Sequence, residues 1–290
     1  MRGIVMSTNE VSLTAEKKKT IGLKIVTYIV SVLLALMVLL PFISMIREIF
    51  GDEVVILPTA SGNFTVVTKP RETMMTWKEF TQLFNKPTWT AFGNLVLVTA
   101  TSTILNIYFS AITAYAITAY EWKLREAFEK FIIVTMMIPG TVASIGFVQM
   151  CYKFHLANNL VMLIIPAIAT PMTVFFMRMY LKATFSKEVV ESARIDGAGE
   201  FRIFNQIMLP LMKPAIATQT IFCFVASWSN SWVPSIILID DKVKTLNVLN
   251  YTSATYVRGA ELLMCIPPVL VYLFLSKHIV EGVALGSVKA

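Results

Sequence analysis

The sequence predicts an all-α, polytopic membrane protein, and three observations support this fold class. Of the 290 residues, 56% are hydrophobic and only 15% are charged, whereas ordinary soluble domains carry about 25% charged residues. The mean hydropathy is +0.68. The uncharged stretches are long and well separated along the chain. A soluble fold of this length would need a charged shell that this chain does not have, so the apolar surplus requires lipid.

A helix that crosses a bilayer needs about 20 mostly apolar residues. The chain offers six such runs, at residues 25–46, 87–120, 131–152, 155–177, 214–239 and 262–276. The second run is long enough to span with a tilt. The sixth is the weakest, because Glu261, Lys277 and the pair Pro267–Pro268 crowd it, but long flanking side chains can reach the interface. Six transmembrane helices place both termini on the same side.

The distribution of basic residues predicts which side that is. With the N-terminus inside, the inside segments hold sixteen of the 25 Lys and Arg residues, and the outside loops hold nine. The positive-inside rule then places both termini on the cytoplasmic side of the membrane. Cytoplasmic loops also account for the net charge of +7. No basic stripe is interleaved with aromatic residues, so we expect no nucleic-acid partner.

The spans divide the chain into segments. Residues 1–24 form a polar cytoplasmic tail, 25–46 a first transmembrane helix, 47–88 an extracytoplasmic loop, 89–281 the core and 282–290 a cytoplasmic tail. The first apolar run is too long for a signal peptide and lacks a small-residue cleavage site, so we predict a retained helix. Within the loop, residues 54–56 and 64–68 predict extended pieces and residues 76–84 a capped helix. The loop could dock a partner or cap the bundle.

Motifs for enzyme chemistry are missing from the sequence. There is no Walker-type G-x-x-x-x-G-K-[ST] run, no G-x-S-x-G elbow and no H-E-x-x-H motif. The three cysteines and two histidines form no metal-ligand spacing, so we expect no metal or cofactor on this chain. An ion-coupled secondary transporter would carry charged residues within its spans. The spans here are nearly free of charge.

The segment at residues 183–213, between the fourth and fifth spans, is too long to be a simple connection. Ser186 is placed to cap a helix whose first turns carry Glu188, where the helix dipole favours acidic residues. Gly197 and Gly199 allow a sharp reversal. A second amphipathic piece follows, and Pro210 is expected to end it. Two short helices at a sharp angle could enter a groove on a partner or lie on the membrane surface.

The run from Glu191 to Leu211 resembles the EAA loop of binding-protein-dependent ABC importers. That family's pattern is E-A-A-x-x-x-G, nine spacer residues and I-x-L-P. This chain reads E-S-A-R-I-D-G, nine residues and I-M-L-P, and departs only at Ser192. The A-R-I-D-G-A version, S-W-S-N-S-W-V-P at 227–234 and G-S-V-K-A at 286–290 are similar to the carbohydrate-uptake branch. Permeases for amino acids, peptides or anions share the shorter core, so the sugar assignment depends on these extended matches.

The resemblance implies a type I ABC importer permease fold, with the permease core at residues 89–281 and the coupling loop at 183–213. It implies a heterodimeric pore with a second permease, two ATP-binding subunits that hold ATP and Mg²⁺, and an extracytoplasmic substrate-binding protein that delivers a sugar or oligosaccharide. This chain itself would not be an enzyme. The residues that would contact the ATPase are Glu191, Ser192, Ala193, Arg194, Asp196, Gly197, Ala198, Phe201 and Phe204.

Aromatic and amide side chains in the spans are candidates for the substrate pathway, because flat rings bind sugar faces and amides bond hydroxyls. Trp228 and Trp232 are four residues apart, which predicts one helix face, but either could be an interfacial anchor. In the outer loop at 240–258, docking anchors and a plain surface connection are both open. The pathway candidates are Trp228, Asn230, Trp232, Asn94 and Gln149, and the docking candidates are Tyr251 and Tyr256. Helix-to-helix hydrogen bonding is the favoured explanation for each of the intramembrane amides Asn94, Asn106, Gln149 and Gln219.

Overall fold

The computed structural model describes residues 8–50, 54–58, 64–68, 81, 83–168, 170–251 and 254–287. The chain separates into two compact units, Met1–Trp77 and Lys78–Ala290. The boundary falls inside the predicted outer loop at 47–88 and not at its ends. It therefore differs from the segment boundaries that hydropathy alone suggested.

The first unit contains one long helix and a small hairpin. Helix α1 runs from Thr8 to Phe50, so the segment predicted as a separate tail is helical from Thr8 onward, because its Glu, Ala, Leu and Lys residues are good helix formers. The apolar part, Lys24–Ser44, is not buried inside the unit, as expected for a helix that faces lipid. Strands β1 (Val54–Pro58) and β2 (Phe64–Thr68) pair antiparallel, which confirms the extended pieces. The helix predicted at 76–84 lies almost wholly outside the described residues.

All regular secondary structure in the described part of the second unit is helical. Helix α2 is central and packs against α5, α6 and α9, while α9 also packs against α11. The helices are α2 (Lys86–Ala119), α3 (Arg125–Met136), α4 (Gly140–Lys153), α5 (Val161–Ile168), α6 (Pro171–Thr184), α7 (Lys187–Ile195), α8 (Glu200–Leu211), α9 (Lys213–Trp228), α10 (Trp232–Ile237) and α11 (Ala254–Ser287), with a 3₁₀ turn at Leu246–Val248.

Four described helices are long and apolar enough to cross a membrane: Lys24–Ser44, Lys86–Ala119, Val161–Thr184 and Gly259–Ser276. Two bent pairs also qualify, α3 with α4 at 93° and the helix Glu200–Leu211 with Lys213–Ile237 at 79°. The count reaches the predicted six if each bent pair is one span. The third predicted run, 131–152, is therefore not a straight helix, and Pro139 stands at the start of its second half.

The fourth predicted run begins later than expected, at Val161 instead of His155. His155 and Asn158 have φ values of 55° and 57°, which are left-handed conformations that a continuing helix does not contain. A distant segment holds this turn, since the Asn158 side chain accepts hydrogen bonds from the backbone N–H groups of Ile239 and Asp240 at 2.6 and 2.9 Å.

The sixth span keeps its helix through Pro267–Pro268, although the sequence predicted an interruption there. Pro268 has no N–H to donate to the carbonyl of Met264, four residues earlier. The indole Nε1–H of Trp228 donates to that carbonyl instead, at 2.9 Å. A neighbouring helix therefore satisfies the backbone group that the proline leaves free, as spanning helices require.

Candidate functional site

The polar hairpin, which we define as residues Lys187–Leu211, consists of α7, a tight turn and α8. Gly197 has φ +80°, a left-handed conformation that costs other residues about 1–2 kcal/mol. The predicted reversal at Gly197 is therefore confirmed. Gly199, with φ −69° and ψ 154°, has an extended backbone that any residue can adopt, so it is not needed for the turn.

Two details of the hairpin differ from the predictions. Ser186 occupies the N-cap position of α7 but makes no capping bond; its hydroxyl donates to Glu188 Oε2 at 2.6 Å instead, which lowers the pKa of Glu188. Pro210 does not end α8, which continues to Leu211. The turn before it, Phe204–Met208, is π-helical, and this wider turn relieves the clash between a proline ring and the preceding carbonyl.

One face of the hairpin packs against the ends of α2 and α6. The Phe204 ring lies 5.6 Å from the Tyr115 ring and 5.8 Å from the Tyr108 ring. Ala193 and Phe204 are 7% and 2% exposed, so they hold the hairpin on the bundle and are not available to a partner, contrary to the prediction. The buried cluster contains Val190, Ala193, Ile203, Phe204, Met208 and Met212 with Ile107, Ala111, Ala114, Tyr115, Met177 and Leu181.

The opposite face of the hairpin is open and carries two large apolar side chains. Ile195 is 86% exposed and Phe201 is 70% exposed. Sequence reasoning identified Phe201 but missed Ile195, although a bulky apolar residue between Arg194 and Asp196 was a visible signal. Exposed apolar residues on a polar loop are typical of a protein contact. The predicted residues that share this open face are Glu191, Ser192, Asp196 and Gly197, while Ala198 is half-buried.

Arg194 forms an ion pair within the hairpin, whereas the sequence predicted that it would contact a partner. Its Nε donates to Glu200 Oε1 at 2.7 Å, and its guanidinium lies 5.7 Å from the centre of the Tyr120 ring. The Tyr120 hydroxyl donates to the other oxygen of Glu200. Arg194 first, and Tyr120 second, lower the pKa of Glu200. The pair therefore stays ionised at neutral pH and links α7, α8 and the end of α2.

Two phenylalanines of the hairpin form a matched pair that tests which face packs on the bundle and which face is open. We expect Phe204→Ala to lower the unfolding free energy of the purified chain by about 3 kcal/mol, because it empties a buried, aromatic-lined position. Phe201→Ala should change it by less than about 0.5 kcal/mol, as exposed substitutions do. Thermal unfolding in detergent measures both. Equal destabilisation by the two variants would contradict the assignment of faces.

A cavity of about 520 Å³ lies between α2, α4, α5, α6, α9 and α10, within the range of about 300–1,000 Å³ that ligand sites occupy. None of the described residues that line it is charged. Hydroxyl and amide groups interrupt an otherwise apolar wall. The polar lining residues are Ser102, Thr103, Asn106, Ser144, Thr170, Thr173, Gln219, Ser227 and Asn230.

Asn106 connects the cavity wall to a break between two helices. Pro171, the first residue of α6, cannot donate to the carbonyl of Ala167. The Asn106 amide donates to that carbonyl and also to the hydroxyl of Thr170. The prediction that Asn106 bonds one helix to another is therefore confirmed, and it stabilises the interruption between α5 and α6.

Of the five predicted pathway residues, only Asn230 lines this cavity. Asn94 donates to the carbonyls of Lys242 and Lys244 at 3.1 and 3.0 Å, so it anchors the outer loop. Gln149 is exposed on α4 and lies off the cavity. The substrate-contact role predicted for Asn94 and Gln149 therefore does not apply to this cavity.

The two tryptophans do not share a helix face, because α9 ends at Trp228 and α10 begins at Trp232. Trp228 is 3% exposed and stacks on Phe224 with ring centres 5.6 Å apart. Its indole N–H donates to the carbonyl of Met264. Trp232 is 48% exposed and does not line the cavity. Their predicted common sugar-binding face is wrong, since three residues of irregular backbone separate them.

The predicted docking anchors of the outer loop have different environments. Tyr251 is half-buried and packs against the cluster of Ala91, Leu95, Trp228 and Leu246. Tyr251 therefore packs the outer loop onto the bundle more than it projects from the loop. The side chain of Tyr256 lies outside the described residues.

The described structure is that of a helical membrane bundle with a polar hairpin and an uncharged, polar-lined cavity. The family described as "Binding-protein-dependent transport system inner membrane component" matches residues 106–276, and the chain belongs to this family. It is a multi-pass membrane permease of ABC transporters. The recognised family and the type I importer permease fold are thus confirmed.

Individual relatives agree with this membership. The chain is 33% identical to the arabinooligosaccharides transport system permease protein of Halalkalibacterium halodurans, over 69% of this chain and 74% of that protein. It is also 33% identical to the melibiose/raffinose/stachyose import permease protein of Bacillus subtilis, over 69% and 75%. A bacterial ABC transporter for import of the acidic polysaccharide alginate has the same fold, with TM-score 0.67, 22% identity and coverage of 95% and 99%.

Proposed function

We propose that this chain forms half of the translocation pore of an ATP-driven importer for a sugar or oligosaccharide. The observation that carries the proposal is the uncharged cavity, lined by hydroxyls and amides, in a chain of which two relatives at 33% identity are named for oligosaccharide transport. Neutral hydroxyls and amides bond to sugar hydroxyls without an uncompensated charge. Peptide, amino-acid or anion import has no such support from the cavity.

The proposed partners supply the ATP site that the sequence lacks and a surface for the exposed face of the hairpin. A second, homologous permease completes the pore, and an extracytoplasmic substrate-binding protein delivers the sugar. Two ATP-binding subunits hold ATP and Mg²⁺, and this chain performs no catalysis. The open face of the polar hairpin enters a cleft of one ATPase through Glu191, Ser192, Asp196 and Phe201, with Ile195 as an apolar anchor.

The route from ATPase to cavity runs through packed side chains. Phe204 joins the hairpin to α2 and α6, and α8 leads into α9 across Met212. The helices α2, α6 and α9 also line the cavity. A rigid-body movement of the ATPases would therefore reach the pore as a movement of whole helices. This arrangement requires the hairpin to lie in the cytoplasm.

The decisive experiment is the purification of the complex from its native membrane, followed by ATP-driven uptake into proteoliposomes. The solutes offered are arabinotriose, raffinose, an alginate trisaccharide, sn-glycerol 3-phosphate and a tripeptide. We expect an ATPase and a second permease to co-purify, and uptake of at least one saccharide. Uptake of the tripeptide or of sn-glycerol 3-phosphate without any saccharide would overturn the proposal.

A further inference from the structure

The cavity contains a buried amide that has no hydrogen-bond partner among the residues that the structure describes. Gln219 on α9 is 6% exposed and lines the cavity, and it makes no hydrogen bond with the described part of the chain. The hydroxyl of Thr103, on the packed helix α2, is also buried without a described partner. A buried amide without a partner is costly, so such groups are normally paired with protein, water or ligand.

Most of the other polar groups that line the cavity are already hydrogen-bonded within the protein. Asn106 bonds to the carbonyl of Ala167 and to Thr170. The hydroxyls of Ser102 and Ser227 are 3.0 Å apart and bond to each other. Gln219, Asn230 and Thr103 are therefore the polar side chains of this wall that make no hydrogen bond with the described part of the chain.

The backbone beside these groups is interrupted. Helix α5 ends at Ile168 and α6 begins at Pro171, and Pro166, Ala167 and Thr170 of this break line the same cavity. Irregular backbone at membrane depth is tolerated where it lines a cavity. Helix breaks of this kind frame the substrate sites of other transporters. The break is a second feature, independent of Gln219, that points to a ligand.

The charge of the wall limits what that ligand is. None of the described lining residues is charged, and the nearby Arg178 pairs with Glu129 away from the cavity. An anion in a low-dielectric site needs a cationic partner. We propose that this subunit carries its own binding site for neutral, polyhydroxylated solutes, in which Gln219 determines specificity and Thr103 assists. The proposal rests on the proposed function and names the substrate class of the same cavity.

The first test is Gln219→Leu in the complete transporter, which removes the amide but keeps a side chain of similar length. We expect the saccharide concentration for half-maximal uptake to rise roughly tenfold, since one hydrogen bond is lost. The maximal rate and the ATPase activity should stay near those of the wild type. Gln219→Asn should recover part of the loss. Thr118→Val, on α2 but off the cavity, is the control and should leave uptake unchanged.

The second test uses Cys223, a half-buried thiol that lines the cavity. In a complex with Cys151→Ser and Cys265→Ser, N-ethylmaleimide should label Cys223, and the transported saccharide should slow this labelling. Protection in Gln219→Leu should require roughly tenfold more saccharide. This readout reports occupation of the site and does not depend on turnover.

The outcomes separate this inference from the proposed function. If the wild-type complex takes up no saccharide at all, the proposed function fails and the inference fails with it. If saccharide is transported but Gln219→Leu behaves as wild type, and Cys223 is not protected, only the inference is overturned. The inference alone is also overturned if the anionic alginate trisaccharide is taken up to the same extent as arabinotriose or raffinose.

Discussion

Replacing Gly197 with valine should reduce solute uptake by about tenfold or more, while the chain still inserts and assembles. Gly197 has φ +80°, where other residues lose about 1–2 kcal/mol and β-branched residues lose most. A side chain would meet nothing within 4 Å at this position, so the effect comes from backbone strain and not from a clash. The hairpin would leave its docked shape, and hydrolysis would continue without driving transport.

The chain offers two controls for this prediction. Gly197→Asn adds a side chain of similar size but tolerates the left-handed region, so uptake should be largely kept. Gly199→Ser changes the neighbouring glycine, whose backbone is extended, and should also transport. Uptake and ATP hydrolysis are measured in the same proteoliposomes. Full uptake by Gly197→Val would mean that the turn does not couple the ATPase to the pore.

Removing Glu129 should destabilise the bundle by about 3–5 kcal/mol, because it leaves a buried cation without its partner. Glu129 on α3 pairs with Arg178 on α6, and the Arg178 side chain is only 6% exposed. The Nε atom of Arg178 has no hydrogen-bond partner among the described residues. Lys182 approaches the same carboxylate at 3.8 Å and cannot replace it, since it carries the same charge as Arg178.

A double-mutant cycle tests this reading. The double variant Glu129→Ala with Arg178→Met should regain much of the loss, because an apolar side chain tolerates burial. Lys182→Ala should cost no more than about 1 kcal/mol, since its side chain is 49% exposed and pairs of that kind contribute little. The midpoints of thermal unfolding in one detergent provide the comparison. Similar losses for Glu129→Ala and Lys182→Ala would contradict the structural role of the buried pair.

The hairpin shows which features of the site the sequence could reveal. The reversal at Gly197 was predictable because a left-handed residue requires glycine, and the local pattern marks both short helices. Which side faces outward was not predictable for Ala193, Phe204 and Arg194. Burial of the first two depends on α2 and α6, and Arg194 is held by Glu200 and Tyr120. Apart from the Arg194–Glu200 bond, which spans six residues, these contacts join segments that are distant along the chain.

The pathway residues show the opposite case. Trp228 was attractive as a sugar platform from its chemistry, but Pro268 on another helix leaves a carbonyl that its indole satisfies. Gln219 looked like one more amide for helix packing, yet it lines the cavity without a described partner. No local pattern separates these two roles, because each depends on what the neighbouring helix presents.

The sequence by itself determined that this chain is a multi-pass membrane protein of the binding-protein-dependent importer family, since hydropathy and the spacing from Glu191 to Pro210 are local properties. Only the tertiary structure decided which polar residues satisfy the backbone and which line the cavity. The physical reason is that prolines at 171 and 268 free carbonyls whose new partners come from other helices. After those bonds are made, the side chains of Gln219, Asn230 and Thr103 line the cavity without a partner among the described residues.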